Sequence, residues 1–238
     1  MRDLLAGGGL ESAYAVQEIN TQRRLNEGAR LVGRKVGLTS AATRKHYGVT
    51  EPDCGMLFAD MALFDGAEVP MTRVIHPKVE GEVAFVLGRD IETPSPSPAD
   101  VLRAIEFAVA AIEIVDSRVQ NWDARILDAV ADNASAAMFV LGTQPRSLRN
   151  LDVVHCGLVM ERRGEPVVTG TAANVMGNPL RSVLWVAAMA VRAGHALKAG
   201  DTILSGALGP MTSASAGDAF EARISGLGSV RVSFVKGT

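Results

Sequence analysis

The chain is poor in cysteine, in aromatic side chains and in net charge, and each shortage excludes something. Two cysteines in 238 residues, Cys54 and Cys156, are too few and too far apart for a disulfide framework or a zinc cluster. They point to a reducing compartment, the cytoplasm. A net charge of −2, with no basic stripe and no aromatic-rich basic segment, leaves no electrostatic footprint for nucleic acid. No apolar run approaches the length that spans a membrane, and the start, Met1-Arg2-Asp3-Leu4-Leu5-Ala6-Gly7-Gly8-Gly9, lacks the apolar core of a signal peptide. P-loop, HExxH, GxSxG and strand-turn-helix GxGxxG motifs are missing. What is present is a 47% hydrophobic chain, enough for one large domain or for a small domain beside a larger one.

The most informative stretch is Pro77-Lys78-Val79-Glu80-Gly81-Glu82-Val83-Ala84-Phe85-Val86-Leu87-Gly88. Its β-branched and aromatic residues, bounded by proline and glycine, predict a strand. A period of two puts Glu80 and Glu82 on one face, which Ala84 and Val86 continue. Two carboxylates on a face that turns apolar repel each other and lose hydration, and a divalent cation between them removes both problems. Glu-x-Glu at a solvated strand end is the bland alternative, and a third carboxylate decides against it. Ala108-Val109-Ala110-Ala111-Ile112-Glu113-Ile114-Val115 supplies one, with Glu113 the only charge in an apolar run. A buried carboxylate needs a partner. Spacing alone leaves two partners open, a nearby cation such as Arg118 or a shared metal. Three carboxylates from two strands suit Mg²⁺ or Mn²⁺.

Elsewhere the pattern predicts an amphipathic helix from Leu10 to Leu25 with Leu10, Tyr14 and Val16 or Gln17 inward. A glycine-flanked strand over 31–40 follows, on which Lys35 could face a cleft. Glu51-Pro52-Asp53 reads as a turn. Ser97-Pro98-Ala99-Asp100 caps a helix running to about Phe107, and Asn178-Pro179 caps another ending at Gly194, with Leu180, Val183, Leu184, Ala187 and Val191 inward. Cys156–Met160 with Glu165–Thr169, and Ala219–Ile224 with Ser229–Phe234, read as hairpins. Asp116 and Arg118 read as an ion pair, Asn133 and Ser135 as backbone-ordering residues, and Trp122 and both cysteines as packing. Many strands and few helices, without strict alternation, predict an α+β fold.

Several stretches together resemble one family: Gly33-Arg34-Lys35-Val36-Gly37-Leu38-Thr39, Glu51-Pro52-Asp53, Pro77–Glu82, Glu113–Arg118, Val130–Ser135 and Leu204-Ser205-Gly206-Ala207-Leu208-Gly209-Pro210-Met211. They look like the 2-keto-4-pentenoate (2-hydroxypenta-2,4-dienoate) hydratases of aromatic meta-cleavage pathways, in the fumarylacetoacetate-hydrolase-like superfamily. The resemblance implies a mixed β-sheet or β-roll domain over 66–238, with a small α/β region over 1–65 that contributes Lys35 and Asp53. It implies Glu80, Glu82 and Glu113 as ligands of Mg²⁺ or Mn²⁺, Lys35 and Asp53 as catalytic, and Lys35, Leu38, Thr39 and Ser205 as substrate-binding. It further implies a 2-oxo or 2-hydroxy-dienoate substrate, a homo-oligomer, and association with the pathway's decarboxylase. The sister 4-oxalocrotonate-type decarboxylases look different at the turn aspartate and at Ser205–Met211, where this chain follows the hydratase pattern. Decarboxylation, or fumarylpyruvate-type hydrolysis with the same metal, is the alternative activity. A non-enzymatic assembly subunit is a third reading, which an intact carboxylate triad disfavours. The N-terminus is shorter than is usual in the family, Cys54 stands where an aromatic is usual, and Asn178 where histidine is usual.

Overall fold

A computed structural model describes Leu5 and residues 7–237. Its elements are α1 (Gly9–Asn26), β1 (Leu31–Gly37), α2 (Ala41–Tyr47), β2 (Asp53–Phe58), β3 (Ala62–Phe64), β4 (Ala67–Pro70), β5 (Lys78–Leu87), α3 (Pro98–Ala104), β6 (Ile105–Val115), α4 (Ile126–Ala131), β7 (Ala136–Leu141), β8 (Gly157–Arg162), β9 (Glu165–Thr171), α5 (Leu180–Arg192), β10 (Thr202–Ala207), β11 (Thr212–Ser213), β12 (Ala219–Ile224) and β13 (Gly228–Val235). The strands form two mixed sheets. The larger runs β2-β1-β10-β5-β6-β7-β3, with β11 beside β5, and the smaller runs β4-β13-β12-β8-β9. Residues 31–64 are woven into the larger sheet, since β1 pairs with β10 and β3 with β7.

The long antiparallel ladder between β5 and β6 is the spine. Alternation sends Val83, Phe85, Ile112 and Ile114 to one face, where they meet Leu158, Met160, Phe220, Val230 and Phe234 of the smaller sheet. Val183, Val186, Ala187 and Ala190 of α5 extend that core over β10 and β1. The opposite face carries Ala84, Val109, Ala111 and Leu204 in a second, smaller core with Met56, Phe58 and Phe139. The functional residues continue this second face.

Three helical expectations shift. In α1 the buried stripe is Ala13, Gln17 and Thr21, and Leu10 is 42% exposed. Polar Gln17 faces inward because its amide donates to the carbonyls of Cys54 and Val130, both at 2.9 Å, tying α1 to β2 and α4. Helix α3 stops at Ala104, since the next residue, β-branched Ile105, is taken by pairing with Leu87. In α5 the fully buried stripe is Ser182, Val183, Val186, Ala187 and Ala190, with Leu180, Leu184 and Val191 only half-buried. The cap of α3 forms as expected: Ser97 and Asp100 exchange hydrogen bonds, and Pro98 opens the helix. Both hairpins also form, the first as β8–β9 and the second as β12–β13.

Candidate metal centre and active site

On the β5–β6 ladder Glu80 lies directly opposite Glu113, and Glu82 opposite Ala111. Directly opposed residues share a face, so the register brings all three carboxylates together. One ligand oxygen from each lies within 4.8 Å of the others. Glu82 and Glu113 are each 1% exposed. Like charges placed this close in an apolar sheet are unstable without a compensating cation.

One cation comes from β1. Lys35 aligns with Leu204 of β10, and Leu204 with Ala84 of β5, which sets Lys35 on the carboxylate face. Its Nζ stands 3.1 Å from Glu113 Oε1, with both side chains buried. Burial pulls the ammonium pKa down, but Glu113, Glu80, Asp53 and Glu82 outweigh it and leave Lys35 above the ordinary lysine value. Asp53 is the first residue of β2, paired with Gly37, so the expected turn aspartate begins a strand. Gly37 is required there: a Cβ would stand 2.2 Å from Asp53 Oδ1. Burial raises the Asp53 pKa, and Lys35 only partly opposes it. Burial and then Glu113 push Glu80 up to about 7, and the same two causes raise Glu82 well above the usual glutamate value.

One lysine does not satisfy this many oxygens. Among the described residues five buried side-chain polar atoms lack a hydrogen-bond partner, and four belong here: Asp53 Oδ1, Glu82 Oε1 and both oxygens of Glu113. The Lys35–Glu113 contact is an ion pair without hydrogen-bond alignment. Native buried polar groups are rarely left this way. The orphaned hard oxygens fit a divalent metal ion, which Glu80, Glu82 and Glu113 can hold. Glu82 is aimed by the backbone, because its Oε2 accepts the Gly206 N–H at 2.7 Å. Gly206 has φ +111°, and a Cβ there would meet the Thr39 side chain at 2.5 Å.

Above the carboxylates opens a cavity of about 580 Å³. Lys35, Leu38, Thr39, Asp53 and Glu80 line it. Glu82, Glu113 and Ser205 are 0–1% exposed and lie behind this lining. The Ser205 hydroxyl points to the carbonyl of its neighbour Gly206 at 3.5 Å. Leu38 bends the end of β1 with φ 55°. Arg44 donates to the Leu38 and Thr39 carbonyls at 3.0 and 2.8 Å and fixes that bend.

The far wall shows what local reading missed. Asp116 and Arg118 form no ion pair: of Asp116, Arg118 reaches only the backbone carbonyl, to which its Nη1 donates at 2.7 Å. Asp116 accepts the Ile75 and His76 N–H groups, each at 2.7 Å, whereas Arg118 pairs with Asp132 at 2.6 Å. The partner is across the fold because Asn133, Ala134 and Ser135 all take left-handed φ values of 50–57° and bring Asp132 back to Arg118. Non-glycine residues there cost about 1–3 kcal/mol each and need outside support. Asn133 supplies it, as expected, by accepting the Met56 N–H at 2.7 Å and donating to the Met56 carbonyl at 3.0 Å. Trp122, expected only to pack, lines the cavity, donates to the His76 carbonyl at 2.9 Å, and carries Lys78 Nζ 4.1 Å from its ring centre. Tyr47 lines the cavity as well, and its pKa is raised by burial and then by Asp53 and Glu80. Its only signal in the sequence was being one of two tyrosines. Of the two single-residue departures from the family pattern, Cys54 is wholly buried with its thiol pushed up to about 12 by burial, and Asn178 Oδ1 caps α5 by accepting the Leu180 N–H at 2.9 Å.

The two sheets, the β5–β6 carboxylates and the cavity above them define the kind of protein. Residues 28–235 match the family model described as fumarylacetoacetate (FAA) hydrolase C-terminal, and the chain belongs to this family. Within it, the chain is 56% identical over 236 residues to the TodF product hydratase of Pseudomonas putida, covering 99% of this chain and 88% of the relative. It is 52% identical to 2-keto-4-pentenoate hydratase 1 of Dechloromonas aromatica, covering 98% of this chain and 89% of the relative. Among solved structures, 4-oxalocrotonate decarboxylase from Pseudomonas putida G7, complexed with magnesium and adipate, superposes with a TM-score of 0.94 at 34% identity, covering 98% of this chain and 89% of that one. Among the described residues no helix is long and apolar enough to cross a membrane.

Proposed function

We propose that this chain is a metal-dependent hydratase, a hydro-lyase that adds water to 2-hydroxypenta-2,4-dienoate or a close homologue and forms a 4-hydroxy-2-oxo acid in aromatic meta-cleavage. The observation that carries the reading is the set of four orphaned carboxylate oxygens facing one ammonium at the foot of a cavity. The names of the near-full-length relatives supply the substrate class.

Glu80, Glu82 and Glu113 would hold Mg²⁺ or Mn²⁺. When bound, such an ion supplies Lewis acidity to oxygen groups of the substrate. The chain's own residues do the rest. Lys35 Nζ offsets the surplus negative charge and holds the anionic substrate, and Leu38 and Thr39 shape the wall beside it. Ser205, buried behind the lining, supports the backbone near the substrate carboxylate. A proton added at C5 of the dienol, with loss of the 2-hydroxyl proton, gives the isomeric 2-oxo-3-enoate. Asp53 Oδ1, partnerless and raised in pKa, takes a proton from the attacking water as its oxygen bonds to C4. A proton then returned to C3 completes the net addition of one water. Residues 1–65 thus contribute Lys35 and Asp53 to a site whose metal ligands come from 66–238. Decarboxylation is the second reading, favoured by the close superposition on the decarboxylase, though that protein is less similar in sequence than the hydratases.

A homo-oligomer, and association with the pathway's decarboxylase, extend the proposal. Phe64, 91% exposed on edge strand β3, is an apolar side chain that an assembly would cover. Two buried free cysteines accord with a reducing cytoplasm. The test is loss of dienol absorbance with Mg²⁺ or Mn²⁺ and with chelator, the product identified by mass. Metal-dependent formation of 4-hydroxy-2-oxopentanoate is expected. Release of CO₂ from a dicarboxylic analogue, with no hydration, would transfer the assignment to decarboxylation, and full turnover after chelation would overturn the metal site.

A further inference from the structure

The fifth orphaned polar atom lies on the other side of β1. Arg34, next to Lys35 in sequence and therefore on the opposite face, is 2% exposed. Its Nη1 donates to the Gly33 carbonyl at 3.0 Å, and its Nε has no partner. Among the described residues it forms no ion pair with any carboxylate. A guanidinium stays charged at any physiological pH, so this charge cannot be relieved by losing a proton. Unpaired, it costs several kcal/mol.

Arg34 lines a second cavity of about 590 Å³, separate from the one above the carboxylates. Arg30 and Lys198 stand at its rim, His195 joins from the end of α5, and Leu31, Val32 and Ala196 give it apolar wall. Its one acidic residue, Asp201, already accepts the Lys198 N–H at 2.8 Å through Oδ2. Lys198 is shared between Asp90 and Glu92, at 2.9 and 2.7 Å, and His195 is held by Glu18 at 2.9 Å. Lys198 and His195 are thus paired, whereas Arg34 acts on Asp201 and Glu18 only from a distance, favouring their charged forms without an ion pair, and its Nε stays free.

We infer that this cavity is a binding site for a small oxyanion, a carboxylate or phosphate, taken up by the Arg34 guanidinium. A planar guanidinium binds such groups through two parallel hydrogen bonds, and Nε is the free half of such a fork. Arg30 at the mouth draws the anion in, and the walls accommodate a short apolar tail. The site is distinct from the metal centre, and an occupant would bear on the strand that carries Lys35 across the sheet.

The experiment uses the full chain, kept metal-free with chelator so that the carboxylate triad cannot recruit anions. Thermal unfolding is followed against inorganic phosphate and, separately, acetate, at constant ionic strength set with chloride. A saturable rise in Tm is expected. It should be abolished in Arg34→Met, retained in Lys35→Met, and its half-saturation weakened about tenfold or more in Arg30→Gln. Arg30 is exposed, so that variant serves if Arg34→Met fails to fold. Saturation by phosphate but not acetate identifies a phosphate site, and the reverse a carboxylate site. No saturable rise with either probe, or a rise unchanged in Arg34→Met or Arg30→Gln, overturns the inference. A Tm that tracks protein concentration and not anion concentration also overturns it, in favour of a carboxylate from a second copy of the chain.

Discussion

The two faces of β1 solve opposite problems. On one, Lys35 has more carboxylates than it can satisfy: Glu113 at 3.1 Å, with Glu80, Glu82 and Asp53 close enough to raise its pKa. On the other, Arg34 has no ion pair: Asp201 and Glu18 feel its charge only from a distance, and its Nε is unpartnered. The residues are chain neighbours, equally buried, and carry the same charge. The difference teaches that a buried charge is informative only together with its partners. Surplus anion around Lys35 speaks for a missing cation, and surplus cation at Arg34 for a missing anion.

The comparison breaks most sharply at the ladder. Glu113→Gln removes a proposed metal ligand and the Lys35 partner together, and turnover at fixed metal should fall at least about a thousandfold. Dienol absorbance reads the rate and a metal titration reads the weaker affinity. Next comes stability. Lys35→Met strips the buried carboxylates of the cation in contact with them and should cost the metal-free protein about 3–5 kcal/mol in denaturant unfolding. Arg34→Met, in buffer without oxyanions, should be neutral or stabilising, because it removes a buried charge that forms no ion pair. Equal losses from both variants would erase the contrast. Asn133→Ala leaves the Met56 N–H and carbonyl without their side-chain partner and should cost about 1–3 kcal/mol, with reduced turnover as the left-handed segment relaxes. The smallest effect is in pH. Glu80 rises from 4.5 to about 7 in the fold, so the metal-free native state holds its proton where the unfolded chain has lost it. That contribution to stability is full below about 4.5 and is lost as pH rises through about 7. Metal-free Tm should therefore decline across this window, and added Mg²⁺ should restore more of it at the high-pH end, where no proton competes for the ligands. A metal-free Tm that climbs from pH 5 to 8 would contradict the surplus of negative charge.

What could be read from the sequence was whatever depends on short periods. Glu80, Glu82 and Glu113 stood out because a period of two fixes their face and because each interrupts an apolar strand. The hairpins and the Ser97–Asp100 cap were legible for the same local reason. Lys35 and Asp53 were placed by resemblance, since no spacing rule reports that β1 reaches β5 through β10. Arg118 was given to Asp116, two residues away, when its partner Asp132 lies fourteen away behind three left-handed residues. No propensity scale expects Ala134 or Ser135 there. The inner face of α1 was misjudged at Leu10, which is exposed, whereas Gln17, offered beside Val16 as inward, is buried because its amide reaches two carbonyls. Arg34 carried no signal: its burial comes from α5, 150 residues further along the chain, closing over β1.

The amide that aims Glu82 belongs to the backbone, and only proline removes that N–H, but its position depends on glycine, since φ is +111° and a Cβ would strike Thr39. The pairing of β10 with β5 slips between Leu204 and Ala207, and that irregularity sets where this N–H falls. Grafting the 205–211 segment from a decarboxylase to exchange activities is therefore a question of phase before it is one of chemistry. A splice one residue out of step would carry this amide away from Glu82, and the recipient would lose its grip on that carboxylate whatever side chains it had gained.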